Sequence, residues 1–352
     1  MAWAVSPYRH GHPFPEGERH PTAARKRGVV MHDLIVNMLP LREEERDRFL
    51  QAAPAVRQVF TGDPAERDAP SWSQHLPEDV LEEATVVIGN PPVDLIRRCP
   101  NLRWLQTWSA GFEEYAAPGV LPESAMISNA TGAYGQAVGE HMFAMMWALM
   151  KRLPAYAVQQ THEQWLDAGR VLSPEGGTAL VIGTGDIGRH FARLARGVGM
   201  RTLGVRRQAA RSLPEIDEMH GFDDLPELLP RADVVAMVVP STPQTRHLLD
   251  REALAALSPH AIIVNAGRGD AIDTGALAEA LHGGRIWGAG LDVTDPEPLP
   301  KGHALWSEPR CLITPHIAGS NHLASVSDAI IAIALENERR YVSGEKLHNA
   351  RR

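Results

Sequence analysis

Thr178-Ala-Leu-Val-Ile-Gly-Thr-Gly-Asp-Ile-Gly188 is an apolar run that enters a glycine turn, and the helical pattern Phe191, Leu194, Val198 follows directly. The order strand, glycine turn, helix is the opening unit of a dinucleotide-binding parallel sheet. A GxGxxG match alone is weak, but here the flanking elements stand where the mechanism needs them. Gly183 allows the tight turn, Gly185 lets a pyrophosphate approach the backbone, and Gly188 lets the helix pack close to the strand. Asp186 and Ile187 begin the helix, whose free N–H groups and positive dipole end favour phosphate.

The next strand ends at Val205, where a carboxylate usually binds the ribose 2′-hydroxyl. Here Arg206, Arg207 and Gln208 follow instead. An arginine pair suits a 2′-phosphate, and no carboxylate is present to repel it. The expected cofactor is therefore NADP(H), with NAD(H) as the alternative.

Working outward, apolar runs alternate with helical patterns, the rhythm of parallel sheets covered by helices. Strands are expected at 178–182, 201–205, 234–239, 261–265 and 288–291, with a weaker one at 312–314. An earlier set is expected at 34–38, 57–60, 85–89, 102–107 and 126–129. Residues 63–79, with three prolines, read as a loop. A long apolar helix runs from Gly132 to Met150 and a final helix from about His322 to Tyr341. The pattern predicts an α/β protein with a doubly wound nucleotide-binding sheet and a second, smaller α/β unit, the boundary lying near 130–135.

Composition limits the alternatives. The 352 residues correspond to about 2.3 domains at roughly 150 residues each. Lys+Arg 35 against Asp+Glu 43 leaves a net charge of −8, which argues against nucleic acid as a partner. The longest apolar run, Met142–Met150, is too short for a membrane span. Two distant cysteines, Cys99 and Cys311, give no disulfide framework, and a reducing cytoplasm fits. Residues 1–30 hold five basic and two acidic residues and lack a periodic apolar face, so they read as a solvated extension, with Met31 as an alternative start. His162-Glu163 lacks the second histidine of HExxH, and no Cys/His cluster has ligand spacing, so no metal site is expected.

Arg268 in Asn265-Ala-Gly-Arg-Gly-Asp270, Asp292 and Glu297 in Gly290-Leu-Asp-Val-Thr-Asp-Pro-Glu-Pro298, and His316 in Thr314-Pro-His-Ile-Ala-Gly319 all fall just after expected strands. Ligands of open α/β sheets gather at those carboxyl ends. Singly, each residue has a mundane reading as a turn charge, a solvated acid or a structural histidine; their joint placement points to a site. Trp72, Trp104, Trp108 and Trp306 are candidate cleft aromatics, with core positions the alternative.

These segments, in this order behind "VIGTGDIG", resemble the D-isomer-specific 2-hydroxyacid dehydrogenases over roughly residues 31–338. The family includes glyoxylate/hydroxypyruvate reductases, D-lactate dehydrogenases and phosphoglycerate dehydrogenases. The resemblance implies two Rossmann-like doubly wound domains, with the nucleotide-binding domain (131–317) inserted in a smaller substrate domain (31–130 plus 318–352). It also implies Arg268 as substrate-binding arginine, His316 as acid/base and Glu297 as its carboxylate partner. Asp292 matches an aspartate facing the nicotinamide amide, Pro240 and Thr245 match the segment near the adenosine, and Ala266 joins the cofactor-binding set. The stretch Ser109 to Glu113 resembles the family's glycine-containing carboxylate-binding loop, with Ser109, Ala110 and Gly111 implied as substrate-binding residues. The departure is Arg206, where NAD-dependent members carry an aspartate.

The implied reaction moves a hydride between NAD(P)H and a small 2-oxo acid, glyoxylate or hydroxypyruvate being favoured. Phosphoglycerate dehydrogenase is an alternative, although a long C-terminal regulatory domain is lacking. A dinucleotide-sensing corepressor is an alternative of another class. A homodimer is expected, with the apolar stretch Met142–Met150 as its interface or as core.

Overall fold

The computed structural model describes residues 33–208 and 212–351, so the expectations for residues 1–30 and Met31 lie outside the described residues. Two all-parallel sheets organise the chain. The first contains β1 (Leu34–Asn37), β2 (Arg57–Phe60), β3 (Val86–Ile88), β4 (Trp104–Gln106) and β5 (Met126–Ser128), in the order β2-β1-β3-β4-β5. The second contains β6 (Thr178–Ile182), β7 (Arg201–Val205), β8 (Glu218–His220), β9 (Val234–Met237), β10 (Ile262–Asn265), β11 (Gly288–Leu291) and β12 (Cys311–Ile313). Their order, β12-β11-β10-β9-β6-β7-β8, is doubly wound, with its switch point between β6 and β9. The first sheet has the order of the other common doubly wound fold.

The sequence placed the central strands because parallel strands covered on both faces are continuous apolar runs. β1, β3, β9, β10 and β11 are buried at every position. The seventh strand of the second sheet, β8, had no such signal. It is the short polar segment Glu-Met-His, half-buried, and it pairs only with β7 at the edge. Charged residues on an edge strand discourage pairing with other chains.

The helix Gly135–Met150 begins three residues later than Gly132 and is core. Val138, Met142, Met145, Met146 and Leu149 are buried against the helix Asp186–Gly197 and strands β10 and β11. The exposed apolar residues lie just beyond it, in the helix Leu153–Thr161, which buries none of its residues, and the segment after it. Trp72 and Trp104 are core as well, Trp104 stacking on Tyr341 at 5.1 Å, whereas Trp306 is exposed. No helix among the described residues is long and apolar enough to cross a membrane, and Cys99 and Cys311 are unpaired.

The final helix, Ala324–Ser343, returns to the first sheet. Asn337 Nδ2 donates to Gln106 Oε1 at 2.7 Å, and Gln58 Nε2 to Glu338 Oε1 at 3.0 Å. The loop at 63–79 contributes Arg67, which is buried and forms two bonds to Glu45 at 2.7 and 2.9 Å and one to Asp328 of this helix at 2.5 Å. A buried guanidinium needs such partners, because an unpaired charge there is strongly destabilising.

Glu338 is fully buried, and burial pushes its carboxyl up to about 8, against smaller lowering by the Gln58 hydrogen bond and the Arg339 charge. Among the described residues its Oε2 and Gln58 Oε1 have no hydrogen-bond partner, and a proton on Glu338 gives such an oxygen a donor. An acid whose folded pKa is raised releases its proton more easily when unfolded. Its contribution therefore falls as pH rises from the ordinary carboxylate range to about 8. Glu338→Gln should match the wild type in thermal unfolding near pH 5 and exceed it near pH 8, by a margin on the order of a few kcal/mol. A difference that stays constant with pH contradicts this assignment.

Candidate active site

At the end of β6 the glycine turn has the form its residues require. Gly183 adopts a left-handed φ of +100°, and a Cβ there would lie 2.4 Å from Val238 O. A Cβ at Gly188 would lie 2.0 Å from Gly183 O, whereas one at Gly185 would meet no other part of the described residues within 4 Å. The turn is thus closed towards the protein and open on its outer side, which fits a pyrophosphate over the amino end of the helix Asp186–Gly197. The Asp186 carboxylate turns to Gly135, whose Cβ position lies 2.5 Å from Asp186 Oδ1. Ile187 packs on the core cluster beneath.

Arg206 and Arg207 follow β7. The Arg206 N–H donates to His220 O at 3.2 Å, and among the described residues neither guanidinium has a hydrogen bond or ion pair. The nearby carboxylates are engaged elsewhere: Glu218 with Arg201, His220 and Arg231, and Asp224 with His220. After β9, Thr245 Oγ1 donates to Pro240 O at 2.6 Å and accepts from Thr242 N at 2.9 Å, closing the turn there. Ala266 N donates to Met237 O at 3.2 Å, joining the ends of β9 and β10.

Arg268 stands just past β10 between two glycines that close contacts demand. A Cβ at Gly267 would lie 2.8 Å from Val239 N and O, and one at Gly269 only 2.0 Å from Thr294 C and O. The Arg268 loop is therefore pressed between the segments that leave β9 and β11. Asn265 fixes it further, its Oδ1 accepting from Gly267 N and its Nδ2 donating to Arg268 O, both at 3.0 Å.

Asp292, directly after β11, is 3 % exposed. It accepts from Thr314 Oγ1 at 2.6 Å, from Ile317 N at 2.9 Å and from Ala318 N at 3.0 Å. These bonds span His316, whose own N–H donates to Asp292 O at 2.8 Å and whose φ is the left-handed 53°. Glu297 Oε1 lies 2.6 Å from His316 Nδ1. The pair is half exposed, and with Nδ1 engaged, Nε2 is the ring nitrogen available to a reactant.

The first sheet supplies the opposite wall after β4. Ser109 Oγ donates to Gly111 O at 2.5 Å and accepts from Asn90 Nδ2 at 2.9 Å, while Ala110 O accepts from Asn129 Nδ2 at 2.5 Å. Trp108, at the head of this loop, meets Trp72 edge to face at 5.4 Å. A Cβ on Gly111 would lie 2.7 Å from Arg268 Nη2, so the two sheets meet here.

Two residues of the cluster have no role of their own in the sequence reading: Glu113, which it places only within the Ser109–Glu113 loop, and His141. Glu113 sits 3.3 and 3.5 Å from Arg268 Nη2 across this junction. His141 Nε2 lies 3.0 Å from Thr314 Oγ1 and 3.8 Å from Asp292 Oδ1. His141 had a signal, because it falls in the i, i+3/i+4 register of buried Val138, Met142 and Met145. Among the described residues no group of His, Cys, Asp and Glu could hold a metal ion.

The sequence profile of the family described as "D-isomer specific 2-hydroxyacid dehydrogenase, NAD binding domain" matches residues 143–318. Glyoxylate/hydroxypyruvate reductase B of Pectobacterium carotovorum subsp. carotovorum (strain PC1) is 32% identical over 269 residues, 74% of this chain and 82% of that protein. A D-isomer specific 2-hydroxyacid dehydrogenase family protein from Aeromonas salmonicida subsp. salmonicida A449 superposes with a TM-score of 0.75 at 29% identity, covering 91% of this chain and 98% of its own. A D-isomer specific 2-hydroxyacid dehydrogenase from Xanthobacter autotrophicus Py2, solved with NADPH and MES, has a TM-score of 0.70 at 25% identity, covering 91% and 98%. With its two doubly wound sheets and the residues gathered at their carboxyl edges, the chain belongs to the D-isomer specific 2-hydroxyacid dehydrogenase family of NAD(P)-dependent oxidoreductases.

Proposed function

We propose that this enzyme reduces a small 2-oxo acid, such as glyoxylate or hydroxypyruvate, to the 2-hydroxy acid, with NADP(H) preferred over NAD(H). The observation that carries the reading is the 2.6 Å His316–Glu297 contact on the sheet edge that also bears Arg268. Residues 31–130 with 318–352 form the substrate-binding unit, and 131–317 the dinucleotide-binding unit. The packing of the helix Gly135–Met150 on the second sheet supports a boundary ahead of that helix.

Gly183, Gly185, Gly188 and the N-terminus at Asp186 and Ile187 hold the pyrophosphate, Pro240, Thr245 and Ala266 border the cofactor, and Arg206 and Arg207 take the 2′-phosphate. Two guanidiniums that have no hydrogen bond or ion pair among the described residues support that last assignment, because charge-assisted bonds to phosphate suit them. The bound reduced cofactor supplies the hydride to the carbonyl carbon. Arg268 binds the substrate carboxylate and polarises the carbonyl, its planar fork suiting both tasks. The loop Ser109-Ala110-Gly111 bounds the carboxylate on the other side. His316 donates a proton from Nε2 to the oxygen as negative charge develops there, and Glu297 on Nδ1 orients the ring. Asp292 acts here by holding residues 314–318, the three bonds to its carboxylate being the support for that role.

His316→Ala and Arg268→Ala should each lower kcat/KM for the best 2-oxo acid by at least about 100-fold. Arg206→Asp should shift the NADPH/NADH ratio of kcat/KM towards NADH. Steady-state kinetics over a panel of 2-oxo acids with both cofactors tests this, and a wild-type preference for NADH overturns the cofactor assignment.

A homodimer fits the surface of the segment after residue 150. Leu153, Tyr156, Val158, Leu166 and Val171 are exposed, and Trp165 fully so, an apolar patch suited to a second copy of the chain. Light scattering should give twice the 38.5 kDa chain mass for the wild type, and the chain mass for Val158→Asp/Trp165→Asp. A wild type at the chain mass contradicts the dimer.

A further inference from the structure

Glu113 is the one carboxylate that reaches Arg268 among the described residues, and it does so from the other sheet, 155 positions away in sequence. Its Oε1 and Oε2 lie 3.3 and 3.5 Å from Arg268 Nη2, and Oε2 also accepts from Phe112 N at 2.9 Å. A Cβ on Gly111 would lie 2.7 Å from Arg268 Nη2 and 3.1 Å from Glu113 Oε2, so carboxylate, guanidinium and loop backbone form one cluster. The guanidinium is the group proposed above to bind the substrate carboxylate, and the loop proposed to bound that carboxylate, Ser109-Ala110-Gly111, ends directly before Phe112.

We infer that Glu113 is a specificity-determining residue, which occupies Arg268 as an internal carboxylate until substrate displaces it and then remains beside the bound acid as a fixed negative charge. The inference rests on Arg268 as the substrate-carboxylate ligand. Burial alone would raise the Glu113 carboxyl, but backbone hydrogen bonds and the Arg268 charge outweigh it and hold it below the ordinary carboxylate range. Glu113 is thus an anion at neutral pH. Half its side chain is exposed, so it can swing aside without leaving the mouth of the site.

The chemical consequence is selection by charge. A 2-oxo acid with one carboxylate and a neutral substituent replaces Glu113 at Arg268 and brings no further anion. A substrate with a second carboxylate or a phosphate places that group near Glu113, where like charges repel. The site therefore takes monoanionic 2-oxo acids and discriminates against 2-oxo diacids and phosphorylated 2-oxo acids.

D-Glycerate and tartronate test this as a pair, since tartronate carries a second carboxylate where D-glycerate carries a hydroxymethyl group. Both are titrated calorimetrically into enzyme saturated with NADPH, with which neither hydroxy acid can be oxidised. The wild type should bind D-glycerate more tightly, and Glu113→Gln should move the affinity ratio towards tartronate by at least about tenfold. The kcat/KM ratio of oxaloacetate to hydroxypyruvate should move the same way, chiefly through KM. A ratio unchanged in Glu113→Gln, while Arg268→Ala abolishes binding of both acids, overturns the role of Glu113 alone. Unimpaired binding in Arg268→Ala overturns the underlying assignment of Arg268.

Discussion

The carboxylate of Asp292 is buried at the end of β11 and takes hydrogen bonds from Thr314 Oγ1, Ile317 N and Ala318 N. A buried anion is tolerable only when its oxygens are satisfied, and losing such partners costs several kcal/mol. The chain that leaves β12 is therefore fastened over β11 rather than free to wander. His316 lies inside the fastened stretch with a left-handed backbone, a conformation that non-glycine residues adopt only when their surroundings enforce it. Five positions past Asp292, Glu297 reaches His316 Nδ1. One buried charge thus sets the backbone on which the imidazole is presented.

The same economy appears around Arg268. Gly267 and Gly269 admit the backbones of Val239 and Thr294, so three successive strand ends are packed into one rim. The guanidinium then extends to the other sheet, where Gly111 leaves room for it and Glu113 engages it. The chain is acidic as a whole, with a net charge of −8. Arg206 and Arg207 beyond β7 and Arg268 beyond β10 are local cations within it, the ones proposed to meet a phosphate and a carboxylate.

What could be read from the sequence follows from how each element is stabilised. β6, β7 and β11 match their expected limits because a parallel strand covered on both faces is mostly apolar, with the polar Thr178 and the exposed Arg201 only at the starts of β6 and β7. β8 pairs with β7 at the edge of the sheet, and its mostly polar residues carry no periodic trace. Composition likewise leaves Met142–Met150 undecided between core and interface; the packing of Met145 on Gly290 and of Leu149 on Gly288 makes it core. The trio Arg268, Glu297 and His316 was legible through family motifs and strand-end positions. Glu113 was legible only as part of its loop and His141 only by its place in the helical register, because the role of each depends on a partner more than 150 residues away.

The central claim is that Glu297 and His316 act as one unit in proton transfer to the substrate oxygen. A double-mutant cycle in NADPH-dependent reduction of the best 2-oxo acid tests it most directly, with Glu297→Gln, His316→Asn and the double variant compared by kcat/KM. Residues acting as a unit give strongly non-additive losses. The double variant should lose no more than His316→Asn alone. Losses that multiply, as for two independent sites, would contradict it.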